Sequence, residues 1–594
     1  MINVLGINAS FHDSSAALLR DGIPVAAAEE ERFTRIKHAK RPVPFLSYQL
    51  PFHAIAYVLQ EAGINLRNVD RIAYSFDPSI LLDGLQPELI SLPLEPSARP
   101  RDDGLEPWDP LFLAGIINAP RFLLDDIPHN LQRLRGRITS WDQLPPFRFL
   151  DHHLSHAASA YYVSGFPESA ILTLDGRGEK ATTLFAVGRS GQIESLEEVH
   201  YPHSLGLLYE HVTDYLGFLR SSDEYKVMAL ACAGSGCLVR QFERLVELGE
   251  GGQYRVTFAD LEAEFGPRRR KGEPLEQRHF DVAAGLQTLL EETVLELARR
   301  LRQRTGLECL CLAGGVALNC IMNSRLRDES GFSNIFVQPA AGDAGTALGA
   351  AYLIEAEHRP DLPGHRMTHA YLGPGFTDEG IRETLLRAKL DYEEPVDLAA
   401  AAANLLAEDK IIGWFQGRME FGPRALGARS IVASPRDPDM KDRLNEIKDR
   451  EDFRPVAPAV LVERAADYFT PDVPSPFMLF IHDVREERKH EIPAVCHFDG
   501  SARIQTVSRQ ESPIFHRLIE AFGELTGTPV VVNTSFNTLG KPIVCTPEDA
   551  LECYFTSPLD ALAIGPFLLT KRAASTPPAP RESTMAASGA WERP

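Results

Sequence analysis

One pattern, written twice, constrains the folding of these 594 residues more than any other feature. From Ile2 the chain reads as an apolar run, "INVLGIN", a polar loop, "ASFHDSS", a second run, "AALLR", an Asp-Gly pair, and a third run, "IPVAAAEEE". From Ser169 the same grammar returns as "SAILTLD", "GRGEKA", "TTLFAVG", "RSG" and "QIESLEEV". Asp-Gly between apolar runs is a strong hairpin signal, because a tight two-residue turn needs positive φ at both positions. Each unit therefore predicts strand, acid-bearing loop, strand, turn, strand.

Two such units around a cleft predict a duplicated actin-like nucleotide-binding architecture, with the loops after the first strands facing one shared ligand. Within the second unit, Val282, Leu286, Leu290, Val294, Leu297 and Leu301 recur at helical spacing, and Gly306 suits a stop. Next come an apolar strand, the Gly314-Gly315 turn and a helix start at Asn319. Glycines there permit close backbone approach to a ligand, and a helix N-terminus favours phosphate. A further strand leads into "AAGDAGTALGAAY", a small-residue helix entrance carrying Asp343.

The chain is too long for one core. Residues 357–375, "EHRPDLPGHRMTHAYLGPG", read as a linker between an N-terminal domain, 1–356, and a second α/β domain, 376–571. The Pro/Ala/Ser-rich stretch 572–594 predicts a disordered tail, and "RRRK", from Arg268 to Lys271, reads as a solvated loop. A net charge of −21 argues against a nucleic-acid partner that tracks phosphates. No apolar run approaches the roughly 18 residues of a membrane span, and the N-terminus lacks a signal peptide's basic start. Eight cysteines without a C-x-x-C pair suit free thiols, and the expected location is the cytoplasm.

Two stretches carry chemistry. In "DHHLSHAASAYYVSGF", His152 and His156 lie four apart, so on a helix capped by Asp151 both imidazoles share a face; His153 and His156 form an alternative pair. Two imidazoles do not complete a metal site, and a hydrogen-bonded helical turn is the better explanation of the pair until other ligands are found. Further on, Arg418, Arg424, Arg429, Lys448, Arg450 and Arg454 cluster in an otherwise acidic chain, beside Gly, Pro and apolar residues. Such multidonor cations suit a polyanion. Asn533, Ser535 and Asn537 follow a valine strand, where α/β folds place ligand crevices.

The ordered set "FHDSSAALL", "EEERFTRIKH", "HHLSHAASAYY", "LDGRGE", "SLGLLYEHVT", "GGVALN" and "FGPRALGARSI" closely resembles the O-carbamoyltransferases of the nodulation-factor, cephamycin and tobramycin type, over residues 2 to 571. The resemblance implies an N-terminal domain like the universal tRNA threonylcarbamoyl-transfer protein and a YrdC-like α/β C-terminal domain. It implies that ATP, as its Mg(II) complex, and carbamoyl phosphate form carbamoyladenylate in the second domain. The carbamoyl group then passes through an internal channel to a hydroxyl of a small molecule, a secondary metabolite or sugar, in the first. By motif match His152, His156, Asp175 and Asp343 bind a divalent transition metal, with Fe(II) preferred over Mn(II) or Zn(II). His12 is the general base for the acceptor. Lys37, Gly176, Lys226, Gly314, Gly315 and Asn319 contact the carbamoyladenylate; Arg418, Arg424, Lys448, Arg454, Arg503, Ser535 and Asn537 hold carbamoyl phosphate and ATP.

One departure stands out: the family usually has glycine where this chain has Ala229. A monomer or homodimer without a nucleic-acid or membrane partner is expected. The competing readings are a tRNA-modifying enzyme and a non-catalytic actin-like nucleotide-binding protein. The acceptor pocket is expected from the weakly patterned residues 40–150.

Overall fold

A computed structural model of the chain describes residues 1–39, 50–82, 109–124, 138–359, 365–538 and 540–571. The expected tail, 572–594, lies outside the described residues, as does part of the region expected to shape the acceptor pocket.

The duplicated pattern becomes two sheets of one topology. The first runs Ile23–Glu29, Ser15–Arg20, Asn3–Asn8, Arg71–Tyr74, Phe147–Phe149; the second runs Gln192–His200, Ala181–Arg189, Glu168–Leu174, Cys309–Ala313, Asn334–Val337. In each, the three hairpin strands are antiparallel and the last two strands join in parallel. The turns match as well. Asp21 and Gly22 have φ of 50° and 76°, and Ser190 and Gly191 have 49° and 73°, the double positive φ that a twisted hairpin requires.

Between the sheets lie two helices, His152–Ser164 and Ala344–His358. The helix that leaves the first sheet packs on the second, and the helix that leaves the second packs on the first. Each is small-residue rich and almost wholly buried, so the pair closes tightly. A Cβ on Gly349 would stand 1.8 Å from the Ser155 carbonyl oxygen, so only glycine permits this crossing. The N-terminal ends of both helices therefore meet at the cleft.

Downstream, seven strands form one mixed sheet: Gln505–Val507, Ala457–Leu461, Val530–Ser535, Arg429–Ala433, Ile412–Phe415, Ala561–Ile564, Phe567–Thr570. Helices Leu398–Ala407 and Pro513–Thr526 pack together on one face. The all-buried run Val530 to Val532 explains the continuous valines there.

The two parts are clasped. Arg32, in "EEERFTRIKH", pairs with Glu29 and donates to the Gly422 carbonyl at 2.8 Å, while the Gly422 N–H donates to Glu29. Arg35 donates to the Pro542 carbonyl at 2.9 Å. Residues 365–375 are no free tether: the Leu372 carbonyl accepts from Ala27 N–H, and the Ala370 carbonyl accepts from Phe421 N–H. In "RRRK", Arg268, Arg270 and Lys271 are exposed as expected, and one residue departs. Arg269 is buried and donates to the Leu216 and Glu273 carbonyls, because its guanidinium closes a turn rather than facing water.

Candidate functional site

The first centre forms where the two helices meet. Asp151 caps its helix by accepting from the Leu154 N–H, which fixes the first turn and aims His152 and His156 into the cleft. Asp175 arrives from the loop after strand Glu168–Leu174, and Asp343 from the entrance of helix Ala344–His358. His152 Nε2 lies 3.5 Å from Asp343 and 3.8 Å from Asp175; His156 Nε2 lies 3.6 and 3.9 Å from the same carboxylates. Ligand atoms about 2.0–2.2 Å from one metal stand roughly 3.3–3.6 Å apart in a tetrahedron, close to this spacing.

The donor set fits a cation for a second reason. His152 Nε2, His156 Nε2 and Asp343 Oδ1 are buried and have no hydrogen-bond partner, a costly state unless a ligand completes them. The other nitrogen of His152 faces the Ser75 carbonyl at 3.0 Å, so it carries the proton and leaves Nε2 as a lone pair. The Gly315 N–H donates to Asp175 Oδ1 at 2.7 Å and holds that carboxylate in place. Burial pushes a carboxyl up, yet His12 and His152 beside Asp343 hold it well below its ordinary range. His153, the alternative partner, points away to Thr173; burial and its two imidazole neighbours lower it to about 3.

His12 stands at the rim, where its backbone N–H faces Asp343 Oδ2 at 3.5 Å and its ring Nδ1 meets Asp13 at 2.9 Å. Burial lowers its basicity, but Asp343 and Asp13 outweigh that and raise it to about 10. Glu179, which sequence reasoning did not single out, accepts from the backbone N–H groups of Asp77 and His152. Burial and the nearby Asp151 raise it to about 8.

Residues expected around this centre divide. Lys37 donates to Ser222 Oγ and lies over the Tyr225 ring. Gly315 touches Asp175, as described, and Gly176 accepts from the Ser204 hydroxyl through its carbonyl. Gly314, at φ 91°, packs where a Cβ would stand 2.1 Å from the Leu174 carbonyl oxygen. Asn319 caps helix Cys320–Glu329 and pairs with Gln287, so its side chain is committed to structure. Lys226 is paired with Asp223 and Glu451 and bridges the two parts of the chain.

The second centre is basic. Lys448 Nζ donates to Asn537 Oδ1 at 2.7 Å and to Ser535 Oγ at 3.1 Å, past the end of the valine strand. Burial, with Arg450 and Arg454 nearby, pulls Lys448 well below its ordinary range. Arg424 is lowered to about 9 by burial and by Arg503; Arg450 is lowered to about 9 by burial, Arg454 and Arg503. The Nε atoms of Arg424 and Arg503 are buried without partners. Half-buried arginines that repel one another and keep free donors, around the buried Lys448, suit several negative charges. Arg450, absent from the residues implied by the resemblance, belongs to this group.

Arg418 does not. Its guanidinium donates to the Leu372 carbonyl at 2.6 Å, to the Val25 carbonyl at 3.0 Å and to the Tyr57 hydroxyl, and it faces Glu61. Its Nε and Nη2 donors are spent on the clasp between the two parts. Arg429 is likewise structural: it donates to the Gln416, Ala428, Pro374 and Gly417 carbonyls and stacks 3.6 Å over Phe415.

The two centres approach each other at Tyr225. Arg454 lies 4.6 Å over that ring, and Lys37 lies 5.5 Å from its centroid. Arg424 also reaches toward the N-terminal part, with its Nη2 3.5 Å from the Leu318 carbonyl.

Comparison with known proteins identifies the family of the chain. The Carbamoyltransferase N-terminus family model matches residues 3–352, and the Carbamoyltransferase C-terminus model matches residues 403–571. An uncharacterized protein of Synechocystis sp. is 41% identical, over 96% of this chain and 97% of its own. Nodulation protein NolNO of Sinorhizobium fredii is 40% identical, over 96% of this chain and 80% of its own. Nodulation protein U of Rhizobium tropici is 32% identical, over 91% of this chain and 92% of its own. With both family halves present in order, the chain belongs to the carbamoyltransferase family and is a carbamoyltransferase.

Proposed function

We propose that this carbamoyltransferase works in two stages, in domains 1–356 and 376–571 joined through 357–375. At the basic centre, ATP, carbamoyl phosphate and water give carbamoyladenylate, pyrophosphate and phosphate. At the histidine–carboxylate centre the carbamoyl group moves to a hydroxyl of a small-molecule acceptor, and AMP leaves. The observation that carries this reading is the pairing of an anion cradle with a cation site, joined at the ring shared by Lys37 and Arg454.

The chain's own groups divide the work. Arg424, Arg450, Arg454, Arg503 and Lys448 offer converging donors that neutralise phosphate charge as it shifts between oxygens, the role of preorganised electrostatics. Ser535 and Asn537 hold the Lys448 ammonium in position. Lys37 stands beside the leaving phosphate of the adenylate. His12 takes the acceptor proton, and Asp13 at its Nδ1 keeps Nε2 directed away. His152, His156, Asp175 and Asp343 would hold a divalent transition metal, Fe(II) by preference, which when bound supplies Lewis acidity and offsets the carboxylate field that holds the proton on His12.

Incubation with ATP and carbamoyl phosphate, with pyrophosphate and ADP measured separately, tests the reading. Pyrophosphate release that requires carbamoyl phosphate is expected. ADP formation without pyrophosphate would indicate a simple ATPase and overturn it.

A further inference from the structure

The valine strand, Val530–Ser535, carries an amide that the chemistry above leaves unused. Asn533 is 1% exposed, and its amide protons are both placed. Nδ2 donates to Gln505 Oε1 at 2.7 Å and to the Ala425 carbonyl at 3.3 Å. Gln505 donates in turn, through Nε2, to the Leu426 carbonyl at 2.7 Å. A backbone carbonyl only accepts, so neither amide can be turned end for end. Asn533 Oδ1 is therefore fixed as an acceptor, and it is buried with no hydrogen-bond partner.

The neighbours of this amide belong to the basic centre. Ala425 follows Arg424 in the chain, and Gln505 stands two residues after Arg503. Ser535, whose hydroxyl accepts from Lys448 at 3.1 Å, stands two residues after Asn533. The alternation of a strand puts both side chains on one face, about 7 Å apart along it. A small acyl phosphate, hydrogen-bonded at both ends, spans such a step.

The chemistry of the centre lacks what Asn533 supplies. Arg424, Arg450, Arg454, Arg503 and Lys448 offer donors alone, and these match the oxygens of a phosphate or a carbonyl. The amino group is the part of carbamoyl phosphate that donates, and no cation can receive its protons. Acetyl phosphate carries a methyl in that place, with nearly the same size and charge. An acceptor held at that end separates the two, because the methyl leaves the acceptor buried and unpaired.

We propose that Asn533 Oδ1 accepts from the carbamoyl amino group and selects carbamoyl phosphate over other acyl phosphates; the inference rests on the reading above for the substrate of the basic centre. No bond is made or broken at Asn533. Gln505 is a positioning residue: by taking the proton of Nδ2 it keeps the oxygen, rather than the nitrogen, available to the ligand.

The test uses phosphonoacetamide and 2-oxopropylphosphonate, unreactive analogues that differ only in amino against methyl, titrated calorimetrically into the full-length protein. The wild type should bind the amide roughly tenfold or more tightly than the ketone, the effect of one buried acceptor left unpaired. Asn533→Leu, which keeps volume without an acceptor, should bind the two alike. Asn533→Asp, which keeps an acceptor, should retain the preference while binding both more weakly. A merely structural role would weaken both analogues in Asn533→Leu and leave their ratio unchanged. Equal binding by the wild type, or a preference that survives in Asn533→Leu, overturns the proposal. Should Asn533→Leu fail to fold by circular dichroism, the wild-type ratio and Asn533→Ser, too short to reach the ligand, decide the matter. Binding of neither analogue would strike the two-stage reading together with this inference, whereas equal binding of both strikes this inference alone.

Discussion

The histidine–carboxylate centre sets Asp175 and Asp343 side by side in a buried cleft, and the basic centre sets Arg424, Arg450 and Arg503 against one another. In both, like charges are crowded together, fully buried in the first and half-buried in the second, and in both, buried polar atoms lack partners. Folding alone gives no reason for either; a core of apolar residues would be easier to stabilise. The difference lies in sign and in rigidity. The acidic centre is gripped by backbone, through the Gly315 N–H and the Ser75 carbonyl, at fixed ligand spacing. The basic centre is built from long side chains aimed from several loops, as suits a ligand whose charge moves during reaction.

The sharpest way to separate the centres is to remove a metal ligand. His152→Ala or His156→Ala should lose bound transition metal, measured by elemental analysis, and carbamoyl transfer should fall by roughly a thousandfold or more, since a Lewis acid supplies several kcal/mol. Pyrophosphate release should survive. Full transfer by a demonstrably metal-free variant would remove the first centre from the chemistry.

Next in size is His12→Asn, which keeps polarity but not imidazole basicity. Transfer should fall by about 10²–10⁴-fold, with metal content and adenylate formation unchanged and AMP leaking from slow hydrolysis. Near-normal product would mean that another group takes the proton.

In the basic centre, Arg424→Ala or Lys448→Ala should slow adenylate formation by roughly ten- to a hundredfold, the loss of one charge-assisted contact of about 1.5–3 kcal/mol. Unchanged pyrophosphate release would make these cations structural. The same crowding predicts a reverse effect on stability. Arg424→Met, which relieves repulsion from Arg503, should raise the melting temperature of the ligand-free protein by a few degrees.

Smallest is a pH effect at the edge of the acidic centre. Glu179 has an ordinary value of 4.5 and is raised to about 8 in the folded protein. Between those values the folded state keeps a proton that the unfolded state releases, so stability falls as pH climbs through that window. In chelator-treated protein, Glu179→Gln should flatten this slope, with its largest advantage over the parent near pH 8 and above. Parallel pH–stability curves for the two proteins would contradict the assignment.

How much of this was legible in the chain depended on whether the signal was local. The two hairpins were, because Asp21-Gly22 and Ser190-Gly191 carry their positive φ in the residues themselves. The capped helix with His152 and His156 was legible for the same reason. Clustering in sequence misled at Arg418 and Arg429, which sit among the other arginines but spend their donors on backbone carbonyls. No spacing rule distinguishes a clasp from a cradle. Arg503 and Asp343 were reached only through family resemblance, since each lies far along the chain from its neighbours in space.

The central claim is that adenylation and transfer belong to separate centres, and the most direct measurement assays Lys448→Ala and His156→Ala side by side in both half-reactions. Lys448→Ala should fail to make carbamoyladenylate from ATP and carbamoyl phosphate at the parent rate, yet turn over supplied carbamoyladenylate normally. His156→Ala should release pyrophosphate normally and transfer nothing. If both folded variants lose the same half-reaction, or each loses both, the two centres form a single site and the account is wrong.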